Sequence, residues 1–283
     1  MVIAFPTRAG EAHSCINQNH GDPVSYQFLQ GTATLYSHRS PDKSGDNEDS
    51  AALIRFNEDS GVAVVADGLG GVAGGAEASR TVIETLVDEI TSAQRSMTLR
   101  DIILNGIDAA NRALLSRGLG NATTLAITEI NSHCVRTYHI GDAVVLVTGQ
   151  RGKVKLQTLS HSPTGYAIES GLLDEDEAMD HEERHLVSNV VGSPEMRIEM
   201  GPDVVLAARD TLLVASDGLF DNLYVEEIVE LSRKGVLTRS AKMLSEQAAA
   251  RMRTAQQGAP SHPDDLTFIL YRRDAPRRRA VSG

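Results

Sequence analysis

Cysteine is nearly absent: Cys15 and Cys134 are the only two in 283 residues. That excludes a disulfide framework and makes a reducing, cytoplasmic location the expected one. Long apolar runs are missing too. The longest resemble Ala143 to Val147, far short of the roughly 20 residues of a membrane span, and no basic-then-apolar signal pattern opens the chain. Basic residues are outnumbered, 27 against 38 acidic ones, for a net charge of −11. Nucleic acid is therefore not an expected partner, since phosphate contacts need an excess of Lys and Arg. Tryptophan is absent and aromatics make up 4%, which excludes no function. What is present, 41% apolar and 23% charged residues, is ordinary for a globular chain long enough to bury a sizeable core.

The charge is uneven. Arg272, Arg273, Asp274, Arg277, Arg278 and Arg279 crowd the end of the sequence, and without them 22 basic residues face 37 acidic ones. We expect a solvated basic tail over 273–283, with docking to an acidic partner as its sharper role. Residues 1–30 are polar and turn-rich and are expected to form an extension or an edge element, leaving 31–272 as the main domain.

Within that domain, Ala51–Phe56 and Val62–Ala66 flank Asn57, Asp59 and Gly61, the pattern of a hairpin. A helix is predicted where Val82, Ile83, Leu86, Val87 and Ile90 share a stripe, and a second over Leu99–Leu115. Strands follow at Ala122–Ile130, Cys134–Ile140 and Ala143–Thr148. Ser160–Pro202 reads as long and irregular. Thr211–Ala215 is a buried strand, Val225–Arg233 and Ser240–Arg253 are helices, and Leu266–Tyr271 is a last strand. Strands come in runs and so do helices, which points to an α+β class with antiparallel sheets, sheet packed on sheet and helices outside.

Acidic residues recur where these strands end. Asp67 follows Val62–Ala66, Asp142 follows Gly141, and Asp217 follows Leu212–Ser216; Asp264 and Asp265 precede Leu266, and Glu48 and Asp49 precede Ala51. A single Asp-Gly is usually a turn or a cap. A set of carboxylates delivered to one edge would repel and raise one another's pKa, and divalent cations relieve that conflict. All-oxygen donor sets favour hard ions such as Mg or Mn, with the Gly68 carbonyl available as a further donor.

Asn47-Glu48-Asp49, Ala66-Asp67-Gly68-Leu69-Gly70-Gly71, Thr123-Thr124, His139-Ile140-Gly141-Asp142, Ser216-Asp217-Gly218-Leu219-Phe220-Asp221-Asn222 and Asp264-Asp265-Leu266-Thr267 occur in that order. Over roughly residues 32–271 the chain resembles the metal-dependent serine/threonine protein phosphatase family (PPM, type 2C), especially its compact bacterial members. The resemblance implies a central β-sandwich of two antiparallel sheets flanked by helix pairs, with a binuclear Mn or Mg site at one end. By motif position Asp67 would bridge the two ions, and Asp217 and Asp264 would complete the first. Glu48 and the Gly68 carbonyl would serve the second, and Asp49 would anchor a water. Asp142, with Asp217 or Asp221, would form a third, looser site. Asp265 stands where the family usually has Asn and would lie behind Asp264. The implied reaction is in-line attack on a phosphoserine or phosphothreonine phosphorus by a hydroxide shared between the ions. A phosphoprotein is the implied substrate, with the chain acting as a monomer.

The sequence departs from the family at several places. Ser44 stands where an arginine usually grips phosphate, which leaves Lys43 or Arg39 to supply positive charge, a point charge rather than a bidentate fork in the case of lysine. Leu69 takes the place of a histidine found in some members, Gly141-Asp142 is followed by Ala143-Val144 rather than Ser-Arg, and Ala122 replaces a glycine. The missing arginine motivates an alternative, a non-catalytic phosphatase-like regulatory binding protein. A third alternative comes from His181-Glu182-Glu183-Arg184-His185, which matches the zinc-protease pattern His-Glu-x-x-His. It lies in an acidic stretch of the flap expected at about 160–202, not on an apolar helix.

Overall fold

The computed structural model describes residues 2–3, 10–69, 74–94, 96–118, 120–174, 177–178, 181–184 and 186–274. The order is β1 (Val2–Ile3), β2 (Ala12–Ile16), β3 (Val24–Phe28), β4 (Gly31–His38), β5 (Asp49–Arg55), β6 (Gly61–Leu69), α1 (Gly74–Ser92), α2 (Leu99–Arg117), β7 (Ala122–Thr123), β8 (Leu125–Ile130), β9 (Cys134–Ile140), β10 (Val144–Thr148), β11 (Val154–Gln157), α3 (Pro163–Glu169), β12 (Glu199–Met200), β13 (Val204–Val205), β14 (Thr211–Ala215), α4 (Asp217–Phe220), α5 (Val225–Ser232), α6 (Leu237–Arg253) and β15 (Leu266–Arg273).

Two sheets carry the molecule. One has the order β1-β3-β4-β15-β14-β10-β11 and the other β12-β9-β8-β6-β5-β2. Every pairing is antiparallel except β1 with β3. The two-residue period of a strand sends alternate side chains to opposite layers. In β5, Ala51 and Leu53 enter the core between the sheets, while Ala52 and Ile54 turn outward to a second core under α1 and α2. In β14, Leu212 and Val214 face inward, and Leu213 and Ala215 meet α5 and α6 in a third core. Three cores and four layers result, so the central strands must be apolar on both faces. This is the helix-sheet-sheet-helix sandwich that the resemblance implied.

Helix α1 buries Val82, Ile83, Leu86 and Ile90, each contributing about 1.5–3 kcal/mol on leaving water. Thr98 caps α2 by accepting the Asp101 N–H at 3.2 Å, and Gly118 ends it in the left-handed region at φ 64.

Several boundaries differ from expectation. β6 does not end at Ala66 but runs through Asp67 and Gly68, because those residues find ladder partners in Asp49 and Thr123. Ser160–Pro202 is not wholly irregular: Ser162 caps α3, and Glu199 and Met200 pair with β9. Residues 12–28 supply β2 and β3, and β15 continues through Arg272 and Arg273. Arg272 is fixed there by donating to the Ser232 carbonyl at 2.7 Å. Arg277, Arg278 and Arg279 lie outside the described residues. So does His185; ahead of it, residues 182–184 form a turn, so the described residues of the zinc-protease pattern are not helical.

Candidate metal centre

The inner faces of the strands turn from apolar to polar at one end of the sandwich. Continuing the alternation of Ala51 and Leu53 brings Asp49 inward, and continuing that of Ala63 and Val65 brings Asp67 inward. The same parity places Ser37 on β4, Thr267 on β15 and Ser216 after β14 at this end. These groups bond one another: the Ser216 hydroxyl donates to Asp49 Oδ2 at 2.8 Å, Ser37 and Thr267 share a hydrogen bond at 2.7 Å, and Asn47 donates to Ser37 Oγ at 2.9 Å.

Asp67, Asp142 and Asp217 converge, each offering a carboxylate oxygen within 4.8 Å of the others. The Thr123-Thr124 pair holds Asp67 from behind. The Thr123 hydroxyl donates to the Asp67 carbonyl at 2.6 Å and the Thr124 N–H at 2.8 Å. Gly68 is required by a close approach: a Cβ there would stand 2.1 Å from the Gly75 carbonyl oxygen, so only glycine lets α1 start against β6. The Asp217–Asn222 segment is tied to the loop that brings Asp264. Asn222 donates to the His262 carbonyl at 2.7 Å and accepts from the His262 N–H at 2.8 Å.

The electrostatics are those of crowded carboxylates. Burial, and next the Asp142 charge, pushes Asp217 up to about 7. Burial and then Asp217 push Asp264 up to about 7, and burial raises Asp142 to about 6. Asp67 is raised by burial and by Asp217 and Asp49, Asp49 by burial and Asp265, and Asp221 by burial and Asp217. Among the described residues, buried oxygens are left without protein partners at Asp49 Oδ1, Asp142 Oδ1 and Asp217 Oδ1. Unpaired buried carboxylate oxygens are costly. A set of hard oxygen donors with spare lone pairs and mutual repulsion fits divalent cations such as Mn or Mg.

Glu48 and Asp265 are spoken for. Lys43 donates to Glu48 Oε2 at 2.5 Å and to Asp265 Oδ2 at 2.7 Å, and Asp265 also accepts the Ser40 N–H at 2.7 Å and the Glu48 N–H at 2.6 Å. Burial alone would lower the Lys43 pKa; Asp265 and Glu48 override it and raise it. Arg39 points elsewhere, to the Gly45 carbonyl at 3.0 Å. Sequence reasoning missed Arg184, which the flap brings into an ion pair with Asp221; no spacing signal announces it. It also missed a second cluster, His139, His161 and Glu199, with donor atoms within 4.8 Å of one another.

Comparison with known proteins agrees with this geometry. The family model described as protein phosphatase 2C matches residues 36–256. The serine/threonine phosphatase stp of Listeria monocytogenes is 25% identical over 244 residues, spanning 82% of this chain and 92% of that protein. The protein phosphatase PhpP of Streptococcus pneumoniae is 27% identical over 181 residues, 59% of this chain and 71% of that one. Among solved structures, the serine/threonine phosphatase Stp1 of Staphylococcus aureus superposes with a TM-score of 0.76 at 22% identity, covering 91% of this chain and 99% of its own. The PstP catalytic domain, solved with two manganese ions, gives a TM-score of 0.70 at 23% identity, covering 86% of this chain and 98% of its own. These last two likenesses bear on the fold, and the family match spans most of the sequence: the chain belongs to the protein phosphatase 2C family.

Proposed function

We propose that the chain hydrolyses phosphoserine and phosphothreonine in proteins, using two Mn or Mg ions held at the acidic end of the sandwich. The observation that carries this is the convergence of Asp67, Asp142 and Asp217, with a buried oxygen of Asp142 and one of Asp217 lacking a partner among the described residues. Asp67, Asp217 and Asp264 would hold one ion. Asp67, Glu48 and the Gly68 carbonyl would hold the other, with Asp49 behind it, and Asp142 with Asp217 or Asp221 would hold a third. Bound there, such ions acidify water toward hydroxide near neutral pH and neutralise charge building on the phosphoryl oxygens.

The chain's own residues supply the rest. Ser216 and the Asn47–Ser37–Thr267 network orient Asp49 and the strand ends. Lys43 brings a positive charge beside Glu48 in place of the missing arginine, and Arg184 brings a second from the flap. Positive charge from either side chain would stabilise a negatively charged phosphoryl group. We place the protein in the cytoplasm as a monomer, and assign Arg277, Arg278 and Arg279 the role of docking to an acidic partner. No helix of the described residues is long and apolar enough to cross a membrane.

The second reading, a non-catalytic binder of phosphoproteins, is favoured by one observation: the Lys43 ammonium is already committed to two carboxylates. Hydrolysis of p-nitrophenyl phosphate and of a phosphothreonine peptide with Mn, with Mg and with chelator decides between them. Mn-dependent release that is lost with chelator and in Asp217→Asn supports the enzyme. A folded, Mn-loaded protein that releases nothing supports the binder.

A further inference from the structure

A cavity of about 600 Å³ opens beside the acidic centre and shares Asp142, Asp217 and Asp221 with it. Away from those carboxylates its lining is mixed: Val144, Ile168, Phe220 and Val225 are apolar, while Gln157, Thr158 and Ser160 are polar. Asp174 and Glu226 also belong to the lining, and both are exposed. Among the described residues of the lining, Arg184 is the basic one, and it is paired with Asp221.

We propose that this cavity receives a lysine or arginine side chain of the phosphoprotein, close in sequence to the phosphorylated residue. The inference rests on the phosphatase reading above and adds a substrate class to it. The cavity and the acidic centre share a wall, so a phosphoryl group at the carboxylates puts the flanking residues at the cavity mouth; each residue of extended chain advances about 3.3–3.6 Å. The apolar part of the lining, Val144, Ile168, Phe220 and Val225, suits an occupant with an apolar body. Carboxylates at the exposed edge require a cationic tip. Lys and Arg combine both, burying the methylene stem and leaving the charge at the rim. Cations at the centre would neutralise the inner carboxylates, so Asp174 and Glu226 decide the sign of the preference. A substrate with Glu in that place would meet two like charges, which is discrimination by repulsion as well as by attraction.

The test uses the full chain with Mn. Phosphothreonine peptides carry Arg, Leu or Glu in turn at each of the positions flanking the phosphoresidue, and kcat/KM is read for each. One position is expected to favour Arg over Glu by about three- to tenfold, the amount that one or two partly exposed ion pairs supply. The double variant Asp174→Lys with Glu226→Lys is expected to reverse that order while leaving p-nitrophenyl phosphate hydrolysis unchanged, because that substrate has no flanking residue. Equal rates for Arg and Glu at every position, or an order that survives the charge reversal, overturns the proposal. Leu outperforming Arg overturns it in favour of an apolar occupant. Absence of Mn-dependent hydrolysis of every substrate, p-nitrophenyl phosphate included, overturns instead the phosphatase reading beneath it.

Discussion

Asp49 and Asp67 stand directly opposite each other across the β5–β6 ladder, both on the inner face of the sandwich. Like charges in that relationship destabilise a sheet, and Asp49 is completely inaccessible while Asp67 is 8% exposed. The fold therefore carries a local conflict that a cation held at Asp67 would relieve. Asp67→Asn should raise the melting temperature of the chelator-treated protein by about 2–4 °C, what roughly 1 kcal/mol is worth in a domain of this size. The same change should lower Mn-dependent hydrolysis by more than the roughly 10–100-fold that loss of an outer hydrogen bond to a ligand costs. A variant that is less stable than the parent without metal, or one that keeps its activity, would contradict the arrangement.

The raised carboxylates make a pH prediction with a definite sign. Asp217 and Asp264 titrate near 7 and Asp142 near 6 in the folded chain, against 3.8 as the ordinary value. Between about pH 4 and 7 the native state binds more protons than the unfolded one, so stability falls as pH rises through that window. Metal-free protein should melt at least about 3 °C higher at pH 5.5 than at pH 8. Mn must displace those protons, so its affinity should drop as pH falls from 8 to 6. Saturating Mn should shrink or invert the pH trend in melting temperature; an unchanged trend would show that these carboxylates do not hold the ion.

Much of this was legible because strand parity and strand ends write themselves into sequence. The apolar runs Ala51–Phe56 and Val62–Ala66 read as a hairpin, and the acidic residues beside them, Asp49 and Asp67, lie at the polar end of the sandwich. The ladder through Asp67 and Gly68 was not legible, since aspartate and glycine ordinarily mark a break; Asp49 and Thr123, their partners, override that preference. Nor could spacing reveal that Lys43 would reach Asp265, far along the chain, or that Arg184 would arrive from the flap. Those contacts come from tertiary folding of polar loops, which carry no periodicity. β2 and β3 were legible only as an edge because Ala12–Ile16 and Val24–Phe28 mix polar and apolar residues.

Lys43 should act on stability and on phosphate binding separately. It is 27% exposed and joins Glu48 to an Asp265 that is 2% exposed. Lys43→Met leaves Asp265 with its two backbone donors but removes the charge that balances it, at a cost of about 1–2 kcal/mol. Chemical denaturation measures that loss. In steady-state kinetics KM for p-nitrophenyl phosphate should rise severalfold with a smaller change in kcat, the pattern of lost ground-state binding. An unaltered KM would remove Lys43 from the substrate site and leave it a structural tie.

His161 gives the last prediction, because its proton position is settled by its neighbours. Asn189 is oriented by Arg197, donating to its carbonyl at 2.7 Å and accepting its N–H at 3.0 Å, so the Asn189 amide nitrogen is the group that faces His161 Nδ1 at 2.9 Å. The Gly141 N–H donates to the same nitrogen at 3.1 Å. Nδ1 is thus the acceptor, and Nε2 carries the proton toward Glu199 Oε2 at 3.0 Å. That tautomer leaves His161 no lone pair to offer a metal with His139 and Glu199, and it assigns the ring a different task. With the His161 N–H donating to the Gly141 carbonyl at 2.8 Å, His161 clamps both sides of the residue before Asp142. Asparagine can present its Oδ1 roughly where Nδ1 stands, whereas leucine cannot. His161→Asn should keep the Mn concentration for half-maximal activity within about twofold of the parent. His161→Leu should raise it by about tenfold, in the range for groups that orient a ligand from behind. Direct Mn binding followed by electron paramagnetic resonance should shift in the same order. If the Leu and Asn variants bind Mn alike, the clamp on Gly141 does not set the position of Asp142.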